Sequence, residues 1–309
     1  MIKSVTITNE FGESIDITLG ETEPETGLFI KGIDGLGPQG ADITFGNVVT
    51  QDGGKYNSAK GNQRNVVFHL IFLDAQITVE SARQITYKYF PLKKKVNVII
   101  ETDNRMAEAE GYVESNEPII FHEEGDMVGA DISIMCESSW LHRYGPEGVQ
   151  EIRFSDINAM FEFEFEDVDE LSPSIEFSAI EVKRENVINY HGEADTGIIM
   201  SIYAYDRFRF PTIYNNITRE SMKIDTDKVE RIIGSQIKFG DEIRISTHQN
   251  NKYIHFIRDG VTTNILNALD KNADWFKIHP GDNTFSYTMT QGELDVVFMI
   301  TADVLLQGV

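Results

Sequence analysis

From about residue 150 to residue 302 the chain is a succession of short runs in which apolar and polar residues alternate, set apart by Gly, Pro, Asn and Asp. A period of two sends successive side chains to opposite faces of an extended backbone, so these runs read as half-buried β-strands. They fall at 175–182, 197–205, 211–216, 222–225, 229–233, 242–246, 253–257, 274–278, 284–289 and 294–302, with one helical turn near 264–268. Phe161, Phe163 and Phe165 alternate with Glu162, Glu164 and Glu166, three rings on one face against three carboxylates on the other. Short strands at this spacing, separated by turn signals, point to a β-sandwich.

The first half is also β-rich but carries one helix. Val5 and Ile7 lead through the turn Glu10-Phe11-Gly12-Glu13-Ser14 to Ile15, Ile17 and Leu19, the pattern of a hairpin. Residues 27–62 hold nine glycines and read as long exposed loops between strands. A strand over Asn65–Phe72 follows. Thr78 then caps a helix whose apolar face is Val79, Ala82, Ile85 and Tyr89, and Pro91 stops it. Lys93-Lys94-Lys95 lies where a helix C-terminus attracts cations. Further strands read at 96–100, 107–113, 119–121 and 130–136. Gly145-Pro146-Glu147-Gly148 is linker punctuation. It divides a 309-residue chain into two domains, 1–145 and 146–309, each long enough for its own core.

Charge narrows the function. Fifty Asp plus Glu against 27 Lys plus Arg give a formal net charge of −23. Such a surface repels phosphate backbones and anionic membranes, so neither nucleic acid nor a lipid surface is an expected partner. The N-terminus has no apolar signal segment, and no run reaches a membrane span, so synthesis in a cytoplasm is expected. Cys136 is the sole cysteine and sits in the apolar run Ile132, Ile134, Met135, which suits a small buried side chain.

A search for chemistry finds no catalytic, cofactor or metal constellation. The seven histidines form no zinc-ligand pair. No Gly-x-Ser-x-Gly elbow and no phosphate loop occur. Glu166-Asp167-Val168-Asp169-Glu170 lacks the spaced ligands of a calcium loop and reads as a solvated acidic edge. Trp275 and Phe276 form either core or a platform on which a sugar could stack. With Tyr203 and Tyr205 they carry the alternative function, a carbohydrate-binding β-sandwich module.

The order of these features resembles the distal tail protein family of long-tailed phages. The N-terminal part runs hairpin, Gly-rich segment, Gly61-Asn62-Gln63-Arg64-Asn65-Val66-Val67-Phe68, helix and closing strand Ile132–Glu137. In the C-terminal part Phe239-Gly240-Asp241-Glu242 looks like the family's Gly-Asp turn. Trp275-Phe276, Ile278, Pro280-Gly281 and Asn283 look like its Trp-Phe to Pro-Gly-x-Asn signature, and Gly308-Val309 like its terminal pair. The aromatic-rich segment after the first domain is only partly present, as Trp140 and Tyr144.

The resemblance implies a mainly β protein: an N-terminal split β-barrel with one α-helix, then a galectin-like β-sandwich. It implies a structural, non-enzymatic part of a phage tail or phage-derived particle, without cofactor, made in the host bacterial cytoplasm. Copies would form a homohexameric ring between the tail tube protein and the baseplate hub, with receptor-binding or fibre proteins as further partners. Arg64, Thr78, Arg83 and Tyr87 are the interface candidates. Trp275 and Phe276 are the candidate glycan contacts.

Overall fold

The structure, a computed structural model, describes residues 1–19, 24–47, 52–74, 77–119, 128–159, 178–182 and 184–309. The strand expected at Phe161–Glu166, the acidic edge at 166–170, and residues 120–121 and 175–177 of two other expected strands lie outside these. The chain forms two compact units, Met1–Gly148 with Val304–Val309, and Val149–Asp303.

In unit 1 the strands are β1 (Ile2–Thr8), β2 (Ser14–Thr18), β3 (Leu28–Asp34), β4 (Ala41–Asn47), β5 (Gly54–Gly61) and β6 (Asn65–Phe72). After helix α1 (Val79–Tyr89) come β7 (Lys95–Thr102), β8 (Met106–Ile119), β9 (Gly129–Cys136) and β10 (Leu141–Arg143). An antiparallel sheet runs in the order β2-β1-β7-β8-β9-β6-β3 and stays open at both ends among the described residues, so the barrel is split. Its inner face is dictated by alternation: Val66, Phe68, Leu70 and Phe72 of β6 are buried, as are Val96, Val98 and Ile100 of β7. Helix α1 lays Ala82 and Thr86 inward, and Phe90 at its end meets Phe68 with ring centres 5.9 Å apart. The Cys136 thiol is buried here, and desolvation pushes its pKa up to about 11.

Unit 2 contains β11 (Val149–Arg153), β12 (Ser155–Ala159), β13 (Ser178–Val182), β14 (Glu185–Tyr190), β15 (Ile199–Ala204), β16 (Thr212–Asn215) and β17 (Glu220–Lys223). Helix α2 (Thr226–Ile233) precedes β18 (Glu242–Ser246), β19 (Tyr253–Arg258), β20 (Val261–Asn264), β21 (Gly281–Thr288) and β22 (Val296–Asp303). A six-stranded sheet, β11-β22-β15-β18-β19-β20, packs on a four-stranded one, β14-β21-β16-β17; β12 and β13 pair separately. Phe298 of the first sheet and Tyr287 of the second lie 5.1 Å apart, ring centre to ring centre, with Phe154 against both. This is the expected sandwich. The chain then returns to unit 1 as β23 (Leu305–Leu306), paired with β10.

Three local expectations fail. Residues 27–62 are not simply loops: they hold β3, β4 and β5, whose glycines lie largely at strand ends and turns. The expected strand 229–233 is the end of α2. Asp225 caps that helix by accepting from the backbone N–H of Asp227 and Lys228, and Gly234 ends it in the left-handed region (φ 73°). Two good caps override the strand preference of Val229, Ile232 and Ile233. Residues 274–278 form no strand beyond a single bridge from Ile278 to Thr196. The strands β10, β11, β12, β14 and β20, and the short one at Leu305–Leu306, went unread.

Candidate functional site

Arg64 stands just before β6, and no part of its side chain reaches solvent. It therefore presents no side-chain surface to a neighbouring subunit, contrary to its expected place in an interface. Its guanidinium donates instead to backbone carbonyls of unit 1. Nη1 donates to Gly35 and, at 3.1 Å, to Gly37. Nε and Nη2 donate to Ser139 at 3.2 and 3.0 Å, and Nη2 also donates to Gln307 at 2.8 Å. Burial lowers its pKa, yet an arginine in a protein stays protonated, so the charge is held by carbonyl dipoles.

The surroundings are built to fit. Gly35 has a φ of +83°, and a Cβ there would lie 1.8 Å from the Asn65 oxygen. A Cβ on Gly308 would lie 2.6 Å from the Leu36 oxygen, and the Val309 N–H donates to that same oxygen at 3.1 Å. Arg64 thus clasps the C-terminal Gly-Val segment, the β3–β4 connection and the loop before β10. The terminal Gly-Val pair is a docking element of unit 1.

The helix candidates divide. Thr78 is exposed and serves as the N-cap, its Oγ1 accepting from the Ser81 N–H at 3.2 Å. Arg83 is half-buried; its Nη2 meets both oxygens of Glu80 at 2.6 and 2.5 Å, while its Nε is buried without a partner. The hydrogen bond from Arg83 lowers the Glu80 pKa. Tyr87 points to solvent. Of the four expected interface residues, Thr78 and Tyr87 are exposed, and Tyr87 is the large apolar one.

The aromatic pair of unit 2 also divides. Phe276 is buried and packs on Phe285 with centres 5.9 Å apart, so its ring belongs to the core and offers a ligand nothing. Trp275 is half-buried, with the Lys252 ammonium 5.3 Å from its ring centre. A cation thus lies over one face of the Trp275 ring. Tyr205 and Phe239 form an exposed ring pair 6.0 Å apart.

Sequence reasoning missed one titratable cluster. His69 of β6 lies between Asp131 of β9 (2.8 Å) and Asp34 of β3 (3.2 Å), bridging three adjacent strands. Its hydrogen bonds to Asp131 and then Asp34 raise its pKa. Strand alternation alone could not place these residues, because the pairing order of β3, β6 and β9 brings them together. Among the described residues no group of three or more His, Cys, Asp and Glu could hold a metal ion. No described helix is long and apolar enough to cross a membrane.

An open split β-barrel carrying one helix, followed by a two-sheet sandwich, is a fold this chain shares with a solved phage protein. The chain is similar over nearly its whole length to the crystal structure of the SPP1 Dit protein, described as a paradigm of the hub adsorption apparatus in phages infecting Gram-positive bacteria. That match has a TM-score of 0.60 at 12% identity and covers 97% of this chain and 98% of that one. Structures of the phage P2 baseplate in its activated conformation also match. The one with Ca has a TM-score of 0.48 at 12% identity, covering 98% of this chain and 100% of that one. The one with Sr has 0.47 at 11%, covering 97% and 98%. No protein-family model and no curated protein matches the sequence.

Proposed function

We propose that this chain is a structural distal tail or baseplate protein of a phage or phage-derived tail particle. Copies close a homohexameric ring through unit 1, joining the tail tube protein to the baseplate hub and to receptor-binding or fibre proteins. It is made in the host bacterial cytoplasm, ends in the virion tail and catalyses no reaction. The observation that carries this reading is the shared fold with SPP1 Dit over 97% of the chain. Two physical features support it. The sheet of unit 1 leaves β2 and β3 as open edges among the described residues, and such edges invite a strand from another chain. The net charge of −23 keeps the surface from adhering to DNA.

Light scattering and negative-stain microscopy of the purified chain test it. The expected result is a sixfold particle of about six times 35.0 kDa. A single-copy mass at high concentration, unchanged when tail tube and hub proteins are added, would overturn it.

A further inference from the structure

The hairpin β4–β5 has two unlike faces. Directly paired residues of an antiparallel ladder share a face, and successive pairs alternate. The register pairs Ala41 with Gly61, Ile43 with Ala59 and Phe45 with Tyr56; between them fall Asp42 with Lys60, Thr44 with Ser58 and Gly46 with Lys55. The first set is an apolar face and the second is polar and charged. A bulge at Thr44/Phe45 keeps the two rings together, edge-on with centres 6.4 Å apart.

Among the described residues the apolar face is left largely uncovered. Among the described residues the two strands pair only with each other, and none of residues 41–46 and 54–61 is buried. Ile43, Phe45 and Tyr56 are 54, 58 and 58% exposed. A lone two-stranded ribbon is marginal in water, and a contiguous exposed apolar patch marks an interface.

We infer that this face docks on a second copy of the chain and is the element by which one subunit grips the next. This rests on the ring reading above and names its contact surface. Charge favours a copy as the occupant. Segment 41–61 holds Asp42, Asp52, Lys55 and Lys60, so the whole formal charge of −23 lies on the rest of the chain. Two such chains repel through their bodies, and the neutral hairpin approaches an acidic copy without that repulsion.

A receiving patch is also present. The β1–β2 turn is tied to the end of α1 by Asn9 Nδ2 donating to the Lys88 carbonyl at 3.3 Å and by the Lys88–Glu13 pair at 3.0 Å. The Lys94–Glu10 pair at 3.0 Å closes the same end. Phe11, Tyr87 and Leu92 stand exposed there among these ion pairs. A projecting face and a separate receiving patch on one chain make a head-to-tail contact, the kind that closes into rings.

Complementation tests this on the full chain. One variant carries Phe45→Glu and Tyr56→Glu, the other Phe11→Glu and Leu92→Glu. By light scattering each alone is expected to fall from the multi-copy mass to 35.0 kDa, with an unchanged circular dichroism melt. Mixed in equal amounts they are expected to give two-copy particles, because each mixed pair retains one intact hairpin and one intact patch. Tyr56→Ser, which adds no charge, is expected to weaken assembly tenfold or more. Thr44→Lys with Ser58→Lys, on the polar face, is expected to leave the mass unchanged. A hairpin variant that keeps the full mass, a polar-face variant that loses it, or a mixture that stays single-copy would overturn the inference and leave the ring reading standing. An unaltered chain that stays single-copy, even with tail tube and hub proteins present, would remove both.

Discussion

The two units solve the problem of a β-rich core differently. The sandwich of Val149–Asp303 places Phe154, Tyr287 and Phe298 in mutual contact between its sheets. It closes its rim with forked ion pairs: Arg207 on Glu230 at 2.9 and 2.7 Å, Arg258 on Asp241 at 2.7 and 2.5 Å, and Arg244 on Glu242 at 2.8 and 3.0 Å. Unit 1 packs mainly aliphatic strands against one helix and puts a buried arginine where its loops meet its C-terminal tail. Many of its surface pairs are single lysine contacts, such as Lys95 with Glu110 at 2.6 Å, which contribute little. Its sheet edges and hairpin remain uncovered. On the ring reading proposed above, unit 1 is the part that other chains would finish.

The sharpest way to break this comparison is to remove a ring from the sandwich core. Phe298 is fully buried, and Phe298→Ala is expected to cost about 3–5 kcal/mol. In calorimetry that lowers the unit 2 transition by about 10 °C while the unit 1 transition stays in place. Both transitions moving together would show that the two units unfold as one and that unit 2 is not self-sufficient.

Next in size is the clasp. Arg64→Met keeps the stem and removes every donor, taking both guanidinium donors from the Ser139 carbonyl and leaving those of Gly35 and Gly37 with the Gln39 amide. The expected loss is about 2–4 kcal/mol in unit 1, with the tail 304–309 becoming open to carboxypeptidase. Arg64→Lys is expected to restore little of it, since a point charge cannot reproduce the planar fork. A tail that stays protected in Arg64→Met would show that β10–β23 pairing alone holds it.

These two sites also show what the sequence could reveal. Helix α1 was legible because its cap Thr78, its apolar stripe and its stop at Pro91 are all local. The strands of the sandwich were legible because alternation is local too. Arg64 is an interface candidate from the sequence, but its partners lie up to 243 residues away, so its role as an internal clasp has no local signal. The hairpin was hidden by its glycines, although Ala41-Asp42-Ile43-Thr44-Phe45 alternates plainly enough. Trp275 and Phe276, being adjacent, were bound to differ in exposure in any extended stretch, and only the inward one, Phe276, joined the core.

A smaller effect of opposite sign sharpens the picture of the sandwich. The Tyr287 hydroxyl is buried without a partner among the described residues, and desolvation pushes its pKa up to about 12. An unsatisfied buried hydroxyl is a cost, so Tyr287→Phe is expected to leave stability unchanged or raise it by up to about 1 kcal/mol. A loss larger than that in denaturant titration would mean that the hydroxyl has a partner.

The smallest expected effect belongs to His69, and it is the one that depends on pH. Asp131 and Asp34 raise its folded pKa above the ordinary 6.5, so the folded state holds the proton more tightly than the unfolded chain does. The resulting stabilisation is fully present below pH 6.5 and fades as pH rises through the folded value. With the ring partly open to water, the gain is under about 1 kcal/mol. It acts across β3, β6 and β9, so it ties the open edge strand β3 to the middle of the sheet. His69→Asn is expected to flatten the dependence of the unit 1 transition on pH in that window and to converge with the unaltered chain at higher pH. If the slope survives in His69→Asn, the strut between the edge strand and the sheet does not titrate there, and β3 is held by its backbone ladder and its buried Leu28 and Ile30 alone.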